Sequence, residues 1–141
     1  MIDDLDRQLI QLLRADSRTA AAGLAKALKV SRGTVQNRID RMQARGIIQG
    51  FTVKTRPDVE AGRVRAMMTI AIEGERSAAV IKQLKGFPEV AAVHTTNGRW
   101  DLIAELDVET LAAFSLTLDS VRQIEGIAAT ETSILLATQK F

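Results

Sequence analysis

The residues best equipped to do chemistry lie between positions 31 and 45, in the stretch SRGTVQNRIDRMQAR, where four arginines stand against one acid, Asp40. Asn and Gln can pair with adenine edges, and Arg with guanine or with phosphate. Val35, Ile39 and Met42 recur at helical spacing and are expected to dock inward. Gly33, Asn37 and Arg41 then project the opposite way, and Thr34, Gln36, Arg38 and Arg45 lie on the flanks. Arg32 stands near the N-terminus, where a recognition helix reaches base edges. The expected base contacts are Arg32, Thr34, Gln36, Asn37 and Arg41, with Arg38, Arg45 and Lys54 on phosphates. The alternative is a solvated helix face, but such faces usually mix both signs of charge.

Charge distribution isolates this stretch. From Arg18 to Arg56 there are nine Lys/Arg and one acid, a balance of +8, whereas the whole chain carries only +2. The remainder is therefore mildly acidic, and a polyanionic partner is expected for one part of the chain only. The pI of 9.3 overstates basicity. With no Tyr and no Cys, almost nothing titrates between His and Lys.

Other candidate chemistry is sparse. Asp3, Asp4 and Asp6 resemble a carboxylate pair, but acids at a helix start are ordinarily dipole and capping residues. The single His94 reads as a hydrogen-bonded structural residue. Trp100 and the four Phe read as packing, and Arg99 as a solvated loop residue. No HExxH, GxGxxG, P-loop or nucleophile elbow occurs. The absence of Cys excludes disulfides, thiolate zinc sites, iron–sulfur clusters and Cys nucleophiles. No metal site and no cofactor are expected. With 46% hydrophobic and 26% charged residues among 141, the composition excludes a disordered chain and an integral membrane protein. The acidic start MIDDLDRQ has no apolar h-region, so the expected location is cytoplasmic.

The elements that must hold these residues follow from periodicity. Leu5, Leu9, Leu12 and Leu13 define a first amphipathic helix. A second is expected over Ala20 to Leu28, capped by Thr19. Only Lys29 and Val30 separate it from a third, capped by Ser31 and closed by Gly46. Two helices joined this tightly form a helix-turn-helix. IIQGFTVKT then alternates and reads as a strand or small wing. The expected domains are a winged helix-turn-helix over 1–56, a linker over 57–63 and a ferredoxin-like domain over 64–141. In the last, strands are expected at Val64–Ile72, Val90–Thr96, Trp100–Leu106 and Ile127–Thr138, and helices from Ser77 and over Glu109–Ile124. This is the order βαββαβ. LKGFPEVAAVHTT (84–96) can also be laid over VRQIEGIAATETS (121–133) at a fixed offset. Such duplication gives a split βαβ sandwich with helices on one sheet face, in an α+β chain. The other face needs a cover, most simply a second copy.

Both modules together resemble the Lrp/AsnC family of transcription regulators. Ile2-Asp3, Asp6, Leu9-Ile10, Leu12-Leu13 and Asp16-Ser17-Arg18 resemble its opening helix, and LAKALKVSRGTVQNRIDRMQARGIIQGF its helix-turn-helix and wing. NGRWDLIAEL resembles its glycine-x-x-aspartate stretch, and GIAATETSILL its closing strand. The resemblance implies a DNA-binding regulator whose second domain dimerises through its sheets and binds a small effector, usually an amino acid, between dimers. It implies effector roles for Gly98 and Asp101, and also for Thr95, Thr130 and Thr132. Asn97-Gly98 is also a hairpin turn signal, since both residues tolerate positive φ. Lys29 stands where many members have glycine, which adds up to about 1 kcal/mol if a left-handed conformation is needed.

The expected partners are double-stranded DNA, an amino-acid effector and further copies of the chain, as a homodimer and an octamer, with no membrane. The two recognition helices of a dimer would enter successive major grooves. Two rival readings remain. A sirohaem decarboxylase shares the two-module layout, though such tetrapyrrole chemistry wants several His or Tyr. A sensor without its own operator is the other.

Overall fold

The computed structural model describes residues 1–140, with Pro57 and Asp58 described by backbone alone. The chain divides into two compact units, Met1–Lys54 and Thr55–Phe141.

The first unit holds α1 (Asp4–Ala15), α2 (Ala21–Leu28) and α3 (Arg32–Ala44). Leu9, Leu13, Leu24, Ala25, Val35 and Met42 form its core, with Ile39 partly buried against them. A side chain of this size contributes roughly 1.5–3 kcal/mol when fully buried. Asp3 caps α1 reciprocally: its carboxylate accepts from Asp6 N at 2.9 Å, and Asp3 N donates to Asp6 Oδ2 at 3.2 Å. The first-turn acids are thus capping residues. Ser31 caps α3 as expected, accepting from Thr34 N at 3.1 Å. Gly46 ends the helix with φ 69, and Ile47 N reaches back to Met42 O at 2.8 Å.

Two expectations fail here. Helix α2 starts one residue late, at Ala21, and its N-cap is Ala20 with no side-chain bond. Thr19 instead donates its hydroxyl to Asp16 O at 2.9 Å, closing the turn after α1. The alternating segment after Gly46 also forms no strand or wing. Residues 47–56 have no ladder partner among the described residues, and Phe51 and Val53 are exposed. Alternation supplies a pleat, but a strand also needs a second strand to bond.

The second unit opens with a 3-10 turn, Pro57–Glu60, inside the expected linker. It continues as β1 (Val64–Ile72), α4 (Ser77–Lys85), β2 (Val90–Thr95), β3 (Leu102–Val108), α5 (Leu111–Arg122) and β4 (Ile127–Ile134). The four strands form one antiparallel sheet in the order β2-β3-β1-β4. Ala66, Met68 and Ile70 of β1 and Leu102, Ala104, Leu106 and Val108 of β3 are buried with Val80 and Leu84 of α4 and Phe114 and Val121 of α5. This is the predicted ferredoxin-like sandwich. The internal echo maps onto its symmetry. Leu84 and Val121 are the fully buried ends of the two helices, and Val90 and Ile127 begin the two edge strands. The last strand stops at Ile134 rather than Thr138, and the last helix runs Leu111–Arg122, capped by Thr110.

Candidate nucleic-acid interface and effector site

In the helix-turn-helix the α2–α3 connection depends on Lys29, which adopts φ 56, ψ 44. It is the one non-glycine residue at positive φ among those described. This left-handed residue lets Val30 N bond Ala25 O at 3.0 Å, so the end of α2 is closed and the chain turns directly into α3. The conformation that glycine would take without strain is therefore imposed on lysine.

On α3, Arg32, Gln36, Asn37 and Arg45 are exposed and Thr34 is partly so. Gln36 Nε2 donates to Asp40 Oδ1 at 2.8 Å, which leaves its amide oxygen and one N–H outward. Thr34 Oγ1 lies 2.8 Å from the capping Ser31 hydroxyl. Lys54 lies in the exposed segment beyond α3.

Arg38, half-buried on the flank, and Arg41, exposed, are both engaged by acids of the α1 start. Arg38 Nη1 bonds Asp3 Oδ2 and, at 3.1 Å, Asp6 Oδ1. Arg41, expected to project away from the core, donates Nη2 to both oxygens of Asp6 at 3.3 and 3.1 Å. Asp6 is 1% exposed. Its burial works to raise its pKa, but the hydrogen bonds from Arg38 and from Asp3 N outweigh that and hold it low. The Arg38 hydrogen bond likewise draws Asp3 down to about 2. Both carboxylates are thus ionised partners of the arginines. Nothing local in sequence signals this pairing, because the partners are 32 to 35 residues apart.

In the second unit, Thr95, Gly98 and Asp101 fall in and beside the connection between β2 and β3. That connection is not a two-residue hairpin. It spans residues 96–101, and neither Asn97 nor Gly98 has positive φ. Thr96 organises it instead, donating its hydroxyl to Trp100 O and accepting from Gly98 N at 3.2 Å. Asp101 ties the loop to the central strand. Its N–H bonds Ile70 O at 2.9 Å, and its Oδ2 accepts from Ile72 N at 2.7 Å. Thr130 sits opposite Ile70 in the β1–β4 ladder, so Asp101 and Thr130 flank the same residue. Thr132 lies opposite Met68, two residues deeper on that face, and its buried hydroxyl has no partner among the described residues. The aromatic Trp100 carries Arg99 over its ring at 5.4 Å. Thr96 and the Ile72 amide were not singled out from sequence, where Asn97, Gly98, Arg99, Trp100 and Asp101 of the loop were.

His94 is hydrogen-bonded to Glu105 on the neighbouring strand, Nε2 to Oε2 at 2.9 Å, consistent with a structural role. A cavity of about 140 Å³ on the sheet is lined by Arg65, Met67, Ala92, Glu105, Asp107 and Leu135 among others. None of the expected effector residues lines it. No helix among the described residues is long and apolar enough to cross a membrane.

A tight helix-turn-helix with a cationic third helix, carried on one chain with an α+β sheet domain, defines a two-module protein with one part suited to DNA. The chain belongs to the Lrp/AsnC family of transcription regulators. Residues 2–43 match the AsnC-type helix-turn-helix domain and residues 65–141 the Lrp/AsnC ligand binding domain. An uncharacterized HTH-type transcriptional regulator of Pyrococcus furiosus is 31% identical over 139 residues, covering 99% of this chain and 94% of the other. The structure of Escherichia coli AsnC superposes with a TM-score of 0.81 at 26% identity, over 100% of this chain and 96% of that one. A transcriptional regulator from Neisseria meningitidis, solved as an L-Met complex, shares the fold with a TM-score of 0.79 at 20% identity, over 100% and 94% of the two chains. Such relatives are named as transcriptional regulators, not as enzymes, so the decarboxylase reading is set aside.

Proposed function

We propose that this regulator reads DNA through α3 and that an amino acid bound at the second unit changes its DNA affinity or its assembly. The observation that carries the first part is α3 itself. Arg32, Thr34, Gln36 and Asn37 stand along the N-terminal part of a helix that the α2–α3 turn sets out from the core, with Arg45 and Lys54 available to phosphates. Support for the second part comes from the match to a ligand-binding domain and from the L-Met bound by the Neisseria protein of like fold. Thr95, Gly98, Asp101, Thr130 and Thr132 are the proposed effector residues. Two of them, Asp101 and Thr130, both neighbour Ile70 near the end of β1.

The proposed assembly is a homodimer through the sheet face opposite the helices, extended to an octamer. That face carries Met67, Ile103 and Ala92, all only partly buried within one chain. In the dimer, two recognition helices would reach major grooves about 34 Å apart.

The test is binding of the full chain to a labelled duplex flanking its own gene, against a scrambled duplex, at about physiological salt and with a panel of amino acids. The expected result is a preference of about a thousandfold for the flank, altered by one amino acid. Equal, salt-sensitive binding to both duplexes, unmoved by any amino acid, refutes the reading.

A further inference from the structure

Four arginines on α3 suggest four cations for DNA, but the fold commits two of them elsewhere. Arg38 and Arg41 converge from α3 on the first turn of α1, where Asp3 and Asp6 stand. Asp6 is buried, and both of its oxygens are bonded to guanidinium groups while one also accepts from the Asp3 backbone. If both arginines leave, only the Asp3 amide still bonds this buried carboxylate, and no cation remains to balance its charge. Releasing a guanidinium to a phosphate would strand a charge out of water, which is strongly unfavourable. Arg41 is itself exposed and Arg38 partly so, so what sets them apart from the exposed Arg32 and Arg45 is that they are paired with acids, whereas Arg32 and Arg45 form no ion pair among the described residues.

We infer that Asp3 and Asp6 withhold Arg38 and Arg41 from the DNA backbone, making this pair of arginines positioning residues that fix α3 against α1 rather than contacts to phosphate or base. The inference rests on the proposed DNA binding and revises which residues perform it. Its functional consequence concerns selectivity. Phosphate contacts raise affinity for all sequences alike, whereas base contacts discriminate. Withholding two cations lowers affinity for arbitrary DNA while the reading helix stays in place, and so widens the gap between operator and background.

The probe is a random-sequence duplex, with binding to the full chain measured across a salt series and unfolding followed in parallel by circular dichroism. Each phosphate contact contributes about 0.9 to the slope of log affinity against log salt. Arg32→Ala and Arg45→Ala are expected to flatten the slope by about that amount each and to leave the melting temperature unchanged. Arg38→Ala and Arg41→Ala are expected to lower the melting temperature and leave the slope as it was. Asp6→Asn keeps an acceptor for the α1 cap but removes the charge. It is expected to melt earlier yet bind the random duplex several-fold more tightly, with a steeper slope that Arg38→Ala in the same chain reverses. A structural role alone would not tighten binding.

If Asp6→Asn does not fold, the single arginine variants decide. A slope flattened by about 0.9 in Arg38→Ala or Arg41→Ala overturns the inference while leaving DNA binding intact. A wild-type chain that binds neither this duplex nor the flanking one overturns the DNA reading, and the inference with it.

Discussion

The α1–α3 contact and the β2–β3 loop put their polar side chains to different uses. In the N-terminal unit, carboxylates on one helix hold arginines on another, and the bonds run from side chain to side chain across the core's edge. In the C-terminal unit the polar residues of the β2–β3 loop bond to backbone: Asp101 to the Ile72 amide and Thr96 to the Trp100 carbonyl. The difference follows from architecture. Helices satisfy their own backbone groups, so a helical unit can fix its geometry only through side chains and caps. A sheet leaves free amides and carbonyls where strands end, and short polar side chains close them. One consequence is that the α1–α3 contact should respond to charge and pH, and the ends of the sheet around β1 and β4 to backbone conformation.

The largest expected effect sharpens the backbone half of this contrast. Gly126, just before β4, has φ 102, and its carbonyl accepts from Glu73 N at 2.8 Å. A Cβ added there would lie 2.9 Å from Arg76 Cβ and 3.2 Å from Val80 Cγ2. Gly126→Ala therefore meets both a disallowed conformation and a clash. It should destabilise the sheet unit by roughly 1–3 kcal/mol. Hydrogen exchange should quicken in β1 and β4 while α1 to α3 keep their protection. Equal loss in both units would show that the two do not respond separately.

Acid should separate the units in the other direction. Asp3 has its pKa drawn down to about 2 from 3.8, and that of Asp6 is also lowered. A carboxylate with a depressed folded-state value contributes stability that is present above its unfolded value and is lost as pH falls through the folded one. The N-terminal unit should thus lose stability as pH falls from about 4 toward 2. Asp3→Asn should flatten that dependence without changing the behaviour of β1–β4. Helical and sheet signals followed together by amide exchange would reveal it, and simultaneous loss of both would count against the contrast.

How far each unit was legible follows the same division. The sheet unit declares itself in Val64, Ala66, Met68 and Ile70, and in the repeat that places Val90 and Ile127 at the two edges, because alternation and duplication are local in sequence. The helices were legible through Leu9, Leu24, Val35 and Met42 for the same reason. The segment 47–56 misled because its alternation is a property of one strand, while pairing is a property of two. Asn97-Gly98 misled because a turn-forming pair fixes a hairpin only when the strands close on it, and here Thr96 and Asp101 hold a longer loop open. On α3, residue types and face were readable, but the fate of Arg38 and Arg41 was not. A flexible side chain is captured by whichever charge the fold brings near, and Asp6 arrives from another helix.

The smallest expected effect is a gain, and it tests whether the helical unit is indifferent to backbone conformation. Lys29 holds a left-handed conformation that costs a residue with a Cβ about 1 kcal/mol. Lys29→Gly removes that strain but adds freedom to the unfolded chain, which offsets part of the gain. The net stabilisation should be about 0.5–1 kcal/mol, read as a higher urea midpoint for the N-terminal unit. The substitution also removes a cation next to α3. A salt slope for duplex binding that stays unchanged would place Lys29 off the phosphates and assign its effect to the turn. A flattened slope would mean that lysine is kept at this strained position because it touches DNA.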